Sequence, residues 1–195
     1  HHGWVTALCY SPDGSLVASG GVDGIVCVWQ TDTMELLGKY GPFPSRISSV
    51  VFDIQGSWIA VACGSLVEVW GLQEKKRISR HPVKGQEVCL LASPDGDLLI
   101  GSQSGLEKKN PKTGEKTLLF RDAGLVSSII LDPASPAIIS AGGKQIKIWD
   151  IRDGSSIWKM NLKKTIQKIA LSRQGRLAIA LNASRGLLWE MERFE

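Results

Sequence analysis

The chain has 195 residues, 43% of them hydrophobic, and a formal net charge of +4. This hydrophobic share is too high for a disordered chain, and no run approaches the roughly 20 apolar residues that a membrane-spanning helix needs. The four cysteines lie in separate apolar runs without CxxC spacing, which predicts free thiols and an intracellular protein of the cytoplasm or the nucleus.

In chain order, similar turn sequences recur at nearly constant spacing. Their first residues, which are 42, 40, 39 and 40 positions apart, are Ser11, Asp53, Ser93, Asp132 and Ser172. All five begin with Ser or Asp, three continue with Pro and four end in Gly. This composition supplies a side-chain acceptor, a preset φ and a residue that tolerates positive φ, so each sequence predicts a tight turn.

Apolar runs flank each turn in the same way. In four of the five units, the seven residues before the turn have apolar side chains at their second and fifth places, and two more apolar runs follow. The later run ends in a tryptophan four times, at Trp29, Trp70, Trp149 and Trp189. A weaker fourth run then leads to the next unit. These short runs, rich in Val, Ile and Leu and lacking a 3.6-residue period, predict four β-strands per unit.

The repeats predict one all-β domain over residues 1–195. Its units are 1–40, 41–81, 82–121, 122–160 and 161–195. A single sheet of four short strands cannot bury both faces, whereas sheets stacked radially bury one another. In the third unit Lys109 occupies the place of the tryptophan, and we predict that residues 105–110 form an exposed edge or an irregular segment.

The first unit carries the most complete motif. It reads His1-x-Gly3-Trp4-Val5, Ser11-Pro12-Asp13-Gly14, Ser19-Gly20-Gly21-x-Asp23-Gly24 and Val28-Trp29. This motif resembles the WD40 repeat, and the resemblance continues through all five units. It implies a WD40-type β-propeller with five four-stranded blades, which either close as a small ring or, as we expect, form an incomplete ring that blades from the parent chain or a partner complete. It also implies a structural hydrogen-bond set formed by His1, Ser19, Asp23 and Trp29.

Neither a cofactor nor a metal site nor a catalytic centre is expected. The three histidines are scattered, and the turn carboxylates recur with the period of the unit, as structural residues do. No glycine-rich stretch has the spacing of a phosphate-binding loop, and no serine lies in a nucleophile elbow. The sequence therefore favours a binding protein over an enzyme.

A partner-binding face is expected where the innermost strands begin. The residue that opens this strand differs in every unit, and Trp and Arg, two of the types present, often anchor protein interfaces. The opening residues are Trp4, Arg46, Gln86, Leu125 and Thr165, and nearby loops add Tyr40, Phe43, Lys84 and Arg185. We expect Tyr40 and Phe43 to be partly exposed, because they lie in a loop beside two prolines.

The main hypothesis from sequence is a scaffold or substrate-recruiting module that binds other proteins and no membrane. One alternative is a ribonucleoprotein scaffold that contacts RNA through the last unit, where Lys163, Lys164 and Lys168 are part of a basic cluster. The other alternative is a sensor propeller attached to a larger signalling protein. The sequence leaves all three open, because a fold of this kind does not fix a function.

Overall fold

The structure is a computed structural model. It describes residues 1–86, 88–120, 124–133, 135–172, 176–181 and 185–190, with Arg176 and residues 185–190 described by their main chain. Within these ranges all regular secondary structure is β-strand, nineteen strands in total. The all-β expectation is confirmed.

Two sheets form residues 5–82, and each is antiparallel with its strands in chain order. The strands of the first sheet are β1 (Val5–Tyr10), β2 (Leu16–Gly21), β3 (Val26–Gln30) and β4 (Leu36–Tyr40). The strands of the second are β5 (Ile47–Phe52), β6 (Trp58–Cys63), β7 (Leu66–Gly71) and β8 (Arg77–Pro82). Both match the predicted four-stranded unit.

The third and fourth sheets keep the same plan of four neighbouring strands. The third consists of β9 (Cys89–Ala92), β10 (Leu98–Ser102), β11 (Gly105–Lys109) and β12 (Lys116–Phe120). The fourth consists of β13 (Ser128–Leu131), β14 (Ala137–Gly142), β15 (Gln145–Asp150) and β16 (Ser156–Asn161). These repeated four-stranded sheets have the strand plan of WD40-type propeller blades.

The fifth sheet contains three strands in the part of the chain that the structure describes, rather than the predicted four. These are β17 (Ile166–Leu171), β18 (Arg176–Leu181) and β19 (Arg185–Glu190). Residues 191–195, which follow β19, lie outside the described residues. Contacts divide the chain into two compact units, residues 1–100 with 108–117 and residues 101–107 with 118–195.

The prediction for residues 105–110 is wrong. Strand β11 is regular and lies between β10 and β12, and most of its side chains are buried. A strand in this place has both main-chain edges paired, so it forms even where its side chains are polar. Lys108 is tolerated there because its amine contacts the carboxylate of Asp95 in the preceding turn.

Turn side chains hold the hairpins as their composition predicts. In the first turn, Asp13 accepts hydrogen bonds from the hydroxyls of Ser11 at 2.6 Å and Ser15 at 2.8 Å. These two hydroxyls lower the pKa of Asp13 to about 2. In the second turn, Asp53 accepts the main-chain N–H of Trp58 at 2.8 Å. A carboxylate thus fixes the turn between the first two strands in both sheets.

The core lies between successive sheets. Within the first compact unit, Val26 and Val28 of β3 pack in one buried cluster with Ile47 and Val50 of β5. The next cluster repeats this arrangement with Val67 and Val69 against Val88 and Leu90. In the second compact unit, Ile146 and Ile148 pack with Ile166 and Ile169. The alternating apolar places of the sequence therefore bury one sheet against the next.

Hydroxyl groups also join neighbouring innermost strands. Thr6 Oγ1 donates to the carbonyl oxygen of Ile47 at 2.5 Å, and Ser48 Oγ donates to that of Val88 at 3.1 Å. These bonds join β1 to β5, and β5 to the residue before β9. They satisfy part-buried polar groups without interrupting the apolar clusters.

Candidate partner-binding face

In the first compact unit (residues 1–100 with 108–117), three predicted face residues lie at the same end of adjacent strands. Trp4, Arg46 and Gln86 precede β1, β5 and β9, and all three are exposed. Trp4 is 84% exposed, more than any other large hydrophobic side chain in the described part of the chain. Its main chain is held in place, because its carbonyl oxygen accepts the N–H of Val22 at 3.0 Å. A large exposed indole on a fixed main chain is suited to contact a partner.

The remaining predicted face residues fall in three groups. Leu125 and Thr165 precede β13 and β17 in the second compact unit and are exposed. Lys84 is an exposed loop residue of the first compact unit. Arg185 begins β19, and its side chain lies outside the described residues.

The expectation that Tyr40 and Phe43 are exposed is wrong. Both side chains are buried in the core cluster between the first two sheets. Their rings meet the ring of Trp70 edge-on, with centroids 6.1 and 5.9 Å away. The hydroxyl of Tyr40 donates to the carbonyl oxygen of Leu72 at 3.3 Å. Such aromatic contacts favour burial over exposure, so these two residues stabilise the fold and do not belong to the face.

The structure brings the four side chains of the predicted structural set together. Trp29 Nε1–H donates to Ser19 Oγ at 2.9 Å, and Ser19 Oγ lies 2.8 Å from His1 Nε2. His1 Nδ1 lies 3.1 Å from both carboxylate oxygens of Asp23. A neutral imidazole with its proton on Nδ1 satisfies every contact, donating to Asp23 and accepting from Ser19. The four residues link the chain start, β2, β3 and the turn between those strands.

Main-chain groups also act on the carboxylate of this set. Burial raises the pKa of Asp23, but the main-chain N–H groups of His2 and Ile25 lower it further, so the net shift is downward. The His2 N–H donates to the carboxylate at 2.8 Å. The carboxylate is therefore ionised when it accepts the imidazole N–H.

Two other sheets satisfy their tryptophan in different ways. In the fourth sheet, Trp149 Nε1–H donates to Ser140 Oγ at 2.8 Å, which repeats the bond between Trp29 and Ser19. In the second sheet, Trp70 Nε1–H donates to Glu68 Oε2 at 3.1 Å. The role of Glu68 was missed from sequence. Its signal was an acidic residue two places before a strand-ending tryptophan.

The chemistry of the remaining polar groups is limited. All four cysteines are free thiols, and burial raises the pKa of Cys63 to about 11. Among the described residues, no three His, Cys, Asp or Glu side chains are placed to hold a metal ion together. That part of the chain also contains no helix of the length and apolar character that crossing a membrane requires.

Comparison with known sequences agrees with the repeated sheets. The family model described as WD domain, G-beta repeat matches residues 1–30, which cover β1, β2 and β3. Residues 1–30 are thus similar to a WD40 repeat, and the later sheets repeat the same strand plan.

The similarity to known proteins extends well beyond residues 1–30. Rat telomerase protein component 1 is 27% identical over 161 residues, which are 80% of this chain and 6% of the relative. The small ribosomal subunit protein RACK1 of Schizosaccharomyces pombe is 34% identical over 111 residues, or 51% of this chain and 35% of the relative. Protein HIR1 of Candida albicans is 29% identical over 146 residues, or 72% and 13%. The chain thus spans about a third or less of the length of these relatives.

Proposed function

We propose that this protein is a WD40-type, non-enzymatic scaffold that binds other proteins at the end of the blades where the innermost strands begin. The observation that carries this proposal is the exposure of Trp4 beside Arg46 and Gln86. Interface anchors are enriched in Trp and Arg. The free thiols support a site of action inside the cell, in the cytoplasm or the nucleus.

The first sheet also presents an apolar face that suits a further blade. Leu8 on β1 is 70% exposed, whereas Val50, at the equivalent place on β5, is 3% exposed because the first sheet covers it. Tyr10 is likewise exposed while its equivalent, Phe52, is buried. Large exposed apolar patches usually mark an interaction surface. A blade supplied by a longer parent chain or by a partner is the occupant that this face fits.

RNA contact is the second candidate function, supported by one observation. Lys163, Lys164 and Lys168 are exposed at the start of the fifth sheet, and two relatives are named as a telomerase component and a small ribosomal subunit protein. Exposed lysines bind phosphates in a salt-dependent way. We rank this function second because tryptophans that could stack on bases are absent from this described lysine cluster.

The test is capture of partners from a cell lysate on the purified chain, with and without nuclease, followed by mass spectrometry. A scaffold retains a stoichiometric protein partner after nuclease treatment and loses it when Trp4→Ala or Arg46→Ala is introduced. Ile157→Ala, which also removes an exposed apolar side chain, is the matched control and keeps the partner. Partners that disappear with nuclease, and with Lys163 and Lys164 changed to Ala, would instead establish the RNA function.

A further inference from the structure

A buried carboxylate holds two arginines at the outer edge of the second sheet. One oxygen of Glu68, on β7, lies 3.4 Å from Arg77 Nη1 and 3.3 Å from Arg80 Nε, both on β8. The other oxygen accepts the indole N–H of Trp70. Because both oxygens are engaged, the carboxylate has a fixed direction and orients the two guanidinium groups in turn.

Positive charge is in excess at this edge. One carboxylate faces two arginines, whose side chains are 48% and 49% exposed. A guanidinium has five N–H donors, so each retains donors for a group arriving from solvent. Lys75, in the turn before β8, adds a third cation and donates to the carbonyl oxygen of Leu37 at 2.9 Å. Arginines whose direction is fixed in this way match carboxylates well.

Strands β4 and β8 also have exposed aliphatic side chains. Leu36 and Leu37 on β4 and Ile78 on β8 are exposed. The nearest tryptophan, Trp70, is occupied by ring contacts in the core and does not offer a face on which a base could stack. Aliphatic surface beside fixed cations therefore favours a peptide over a nucleic acid.

We propose that Lys75, Arg77 and Arg80 form a docking site for an acidic segment of a partner protein, one that combines carboxylate and aliphatic side chains. The carboxylates pair with the two guanidinium groups and the lysine, while the aliphatic side chains cover Leu36, Leu37 and Ile78. This site consists of residues outside the face that contains Trp4.

The proposal is tested with a fluorescently labelled peptide that alternates Glu and Leu, titrated with the purified chain and followed by anisotropy. Arg77→Gln and Arg80→Gln are each expected to weaken binding about three- to tenfold, the range for a partly exposed charge-assisted pair. Lys76→Gln removes an equal charge from an exposed neighbour and is the matched control, with less than about a twofold effect. Trp4→Ala leaves this binding unchanged.

Glu68→Gln separates an oriented site from a merely positive surface. Glutamine keeps an acceptor for Trp70 but no longer holds the arginines, while the net charge of the edge rises by one. An oriented site then binds the acidic peptide more weakly, whereas a diffuse cationic surface binds it more tightly. Arg80→Lys supplies the same comparison without removing Glu68, because it keeps the positive charge and loses the planar fork.

Three results would overturn the proposal. The first is tighter or unchanged binding with Glu68→Gln, and the second is an equal loss with Lys76→Gln and Arg80→Gln. The third is an RNA oligonucleotide that binds this edge more tightly than the peptide and displaces it. A peptide with Lys in place of Glu checks the sign of the charge and is expected not to bind.

Discussion

Replacing Ser140 by alanine is expected to destabilise the protein by about 1–3 kcal/mol, the cost of leaving a buried donor without an acceptor. Ser140 Oγ accepts the indole N–H of Trp149, and Trp149 is 1% exposed. Water cannot reach this N–H after the substitution. The larger cost of an unsatisfied donor therefore applies, rather than the roughly 0.5–1.5 kcal/mol net value of an ordinary hydrogen bond.

A double-mutant cycle isolates this bond. Trp149→Phe removes the donor, so Ser140→Ala is expected to cost less in that background, with a coupling energy of about 1–2 kcal/mol. The measurement is urea unfolding followed by far-UV circular dichroism, which does not depend on the altered tryptophan. Ser156→Ala, at an exposed serine of the same sheet, is the control and is expected to stay within about 0.5 kcal/mol of the parent.

Either of two results would refute this reasoning. If Ser140→Ala changed the free energy of unfolding by less than about 0.5 kcal/mol, the indole N–H would have another acceptor. If the cost were the same with tryptophan and with phenylalanine at position 149, it would arise from packing at Ser140 and not from the hydrogen bond.

Three other substitutions test packing, main-chain conformation and charge by urea unfolding. Ile47→Ala is expected to lower the free energy of unfolding by about 2–5 kcal/mol, and Val5→Ala, at the equivalent but exposed place, by under about 0.5 kcal/mol. Similar losses for the two variants would contradict the assignment of Ile47 to the core. Gly24→Ala should lower the free energy of unfolding more than Gly56→Ala. Both glycines have φ near +66°, but a Cβ at Gly24 would lie 2.6 Å from a main-chain oxygen, while Gly56 faces open space. Equal losses of stability would exclude that clash. Asp13 has a pKa of about 2 in the fold because two serine hydroxyls donate to it, so its stabilisation is present above its unfolded pKa of about 3.9 and lost as pH falls through about 2. Asp13→Asn should therefore flatten the loss of stability across this acid range, and an unchanged pH profile would count against the turn contacts.

The strands and turns were predictable because their signals are local. The Ser11 and Asp53 turns contain the acceptor and the glycine that the observed hairpins use. The apolar places that include Ile47 and Val50 are the ones that the structure buries. Period-two burial and turn chemistry depend on neighbouring residues, so one sequence suffices to recognise them.

Burial that depends on a neighbouring sheet was harder to predict. Tyr40 ends strand β4 and Phe43 lies in the proline-containing loop after it, and both are buried against Trp70, about 30 residues later in the sequence. Strand β11 looked irregular because its side chains are polar, yet its neighbours on both sides pair with its main chain. In both cases the deciding contact lies outside the segment that carries the signal.

The variation of the polar set follows from one fixed requirement, an acceptor for the indole N–H of the strand-ending tryptophan. Ser19 and Ser140 meet it from the second strand of their sheets. In the second sheet Val61 occupies that place, and Glu68, directly opposite Val61 across the strand pair, supplies the acceptor instead.

The change from a hydroxyl to a carboxylate has a consequence beyond the core. A buried charge needs a partner of opposite sign, and here Arg77 and Arg80 on the outermost strand fill that role. Two arginines pair with one carboxylate. The glutamate that accepts the indole N–H of Trp70 therefore also leaves an excess of positive charge at the outer edge of the second sheet. The use of Glu68 in place of a serine therefore links the interior of the second sheet to the basic docking site proposed at its edge.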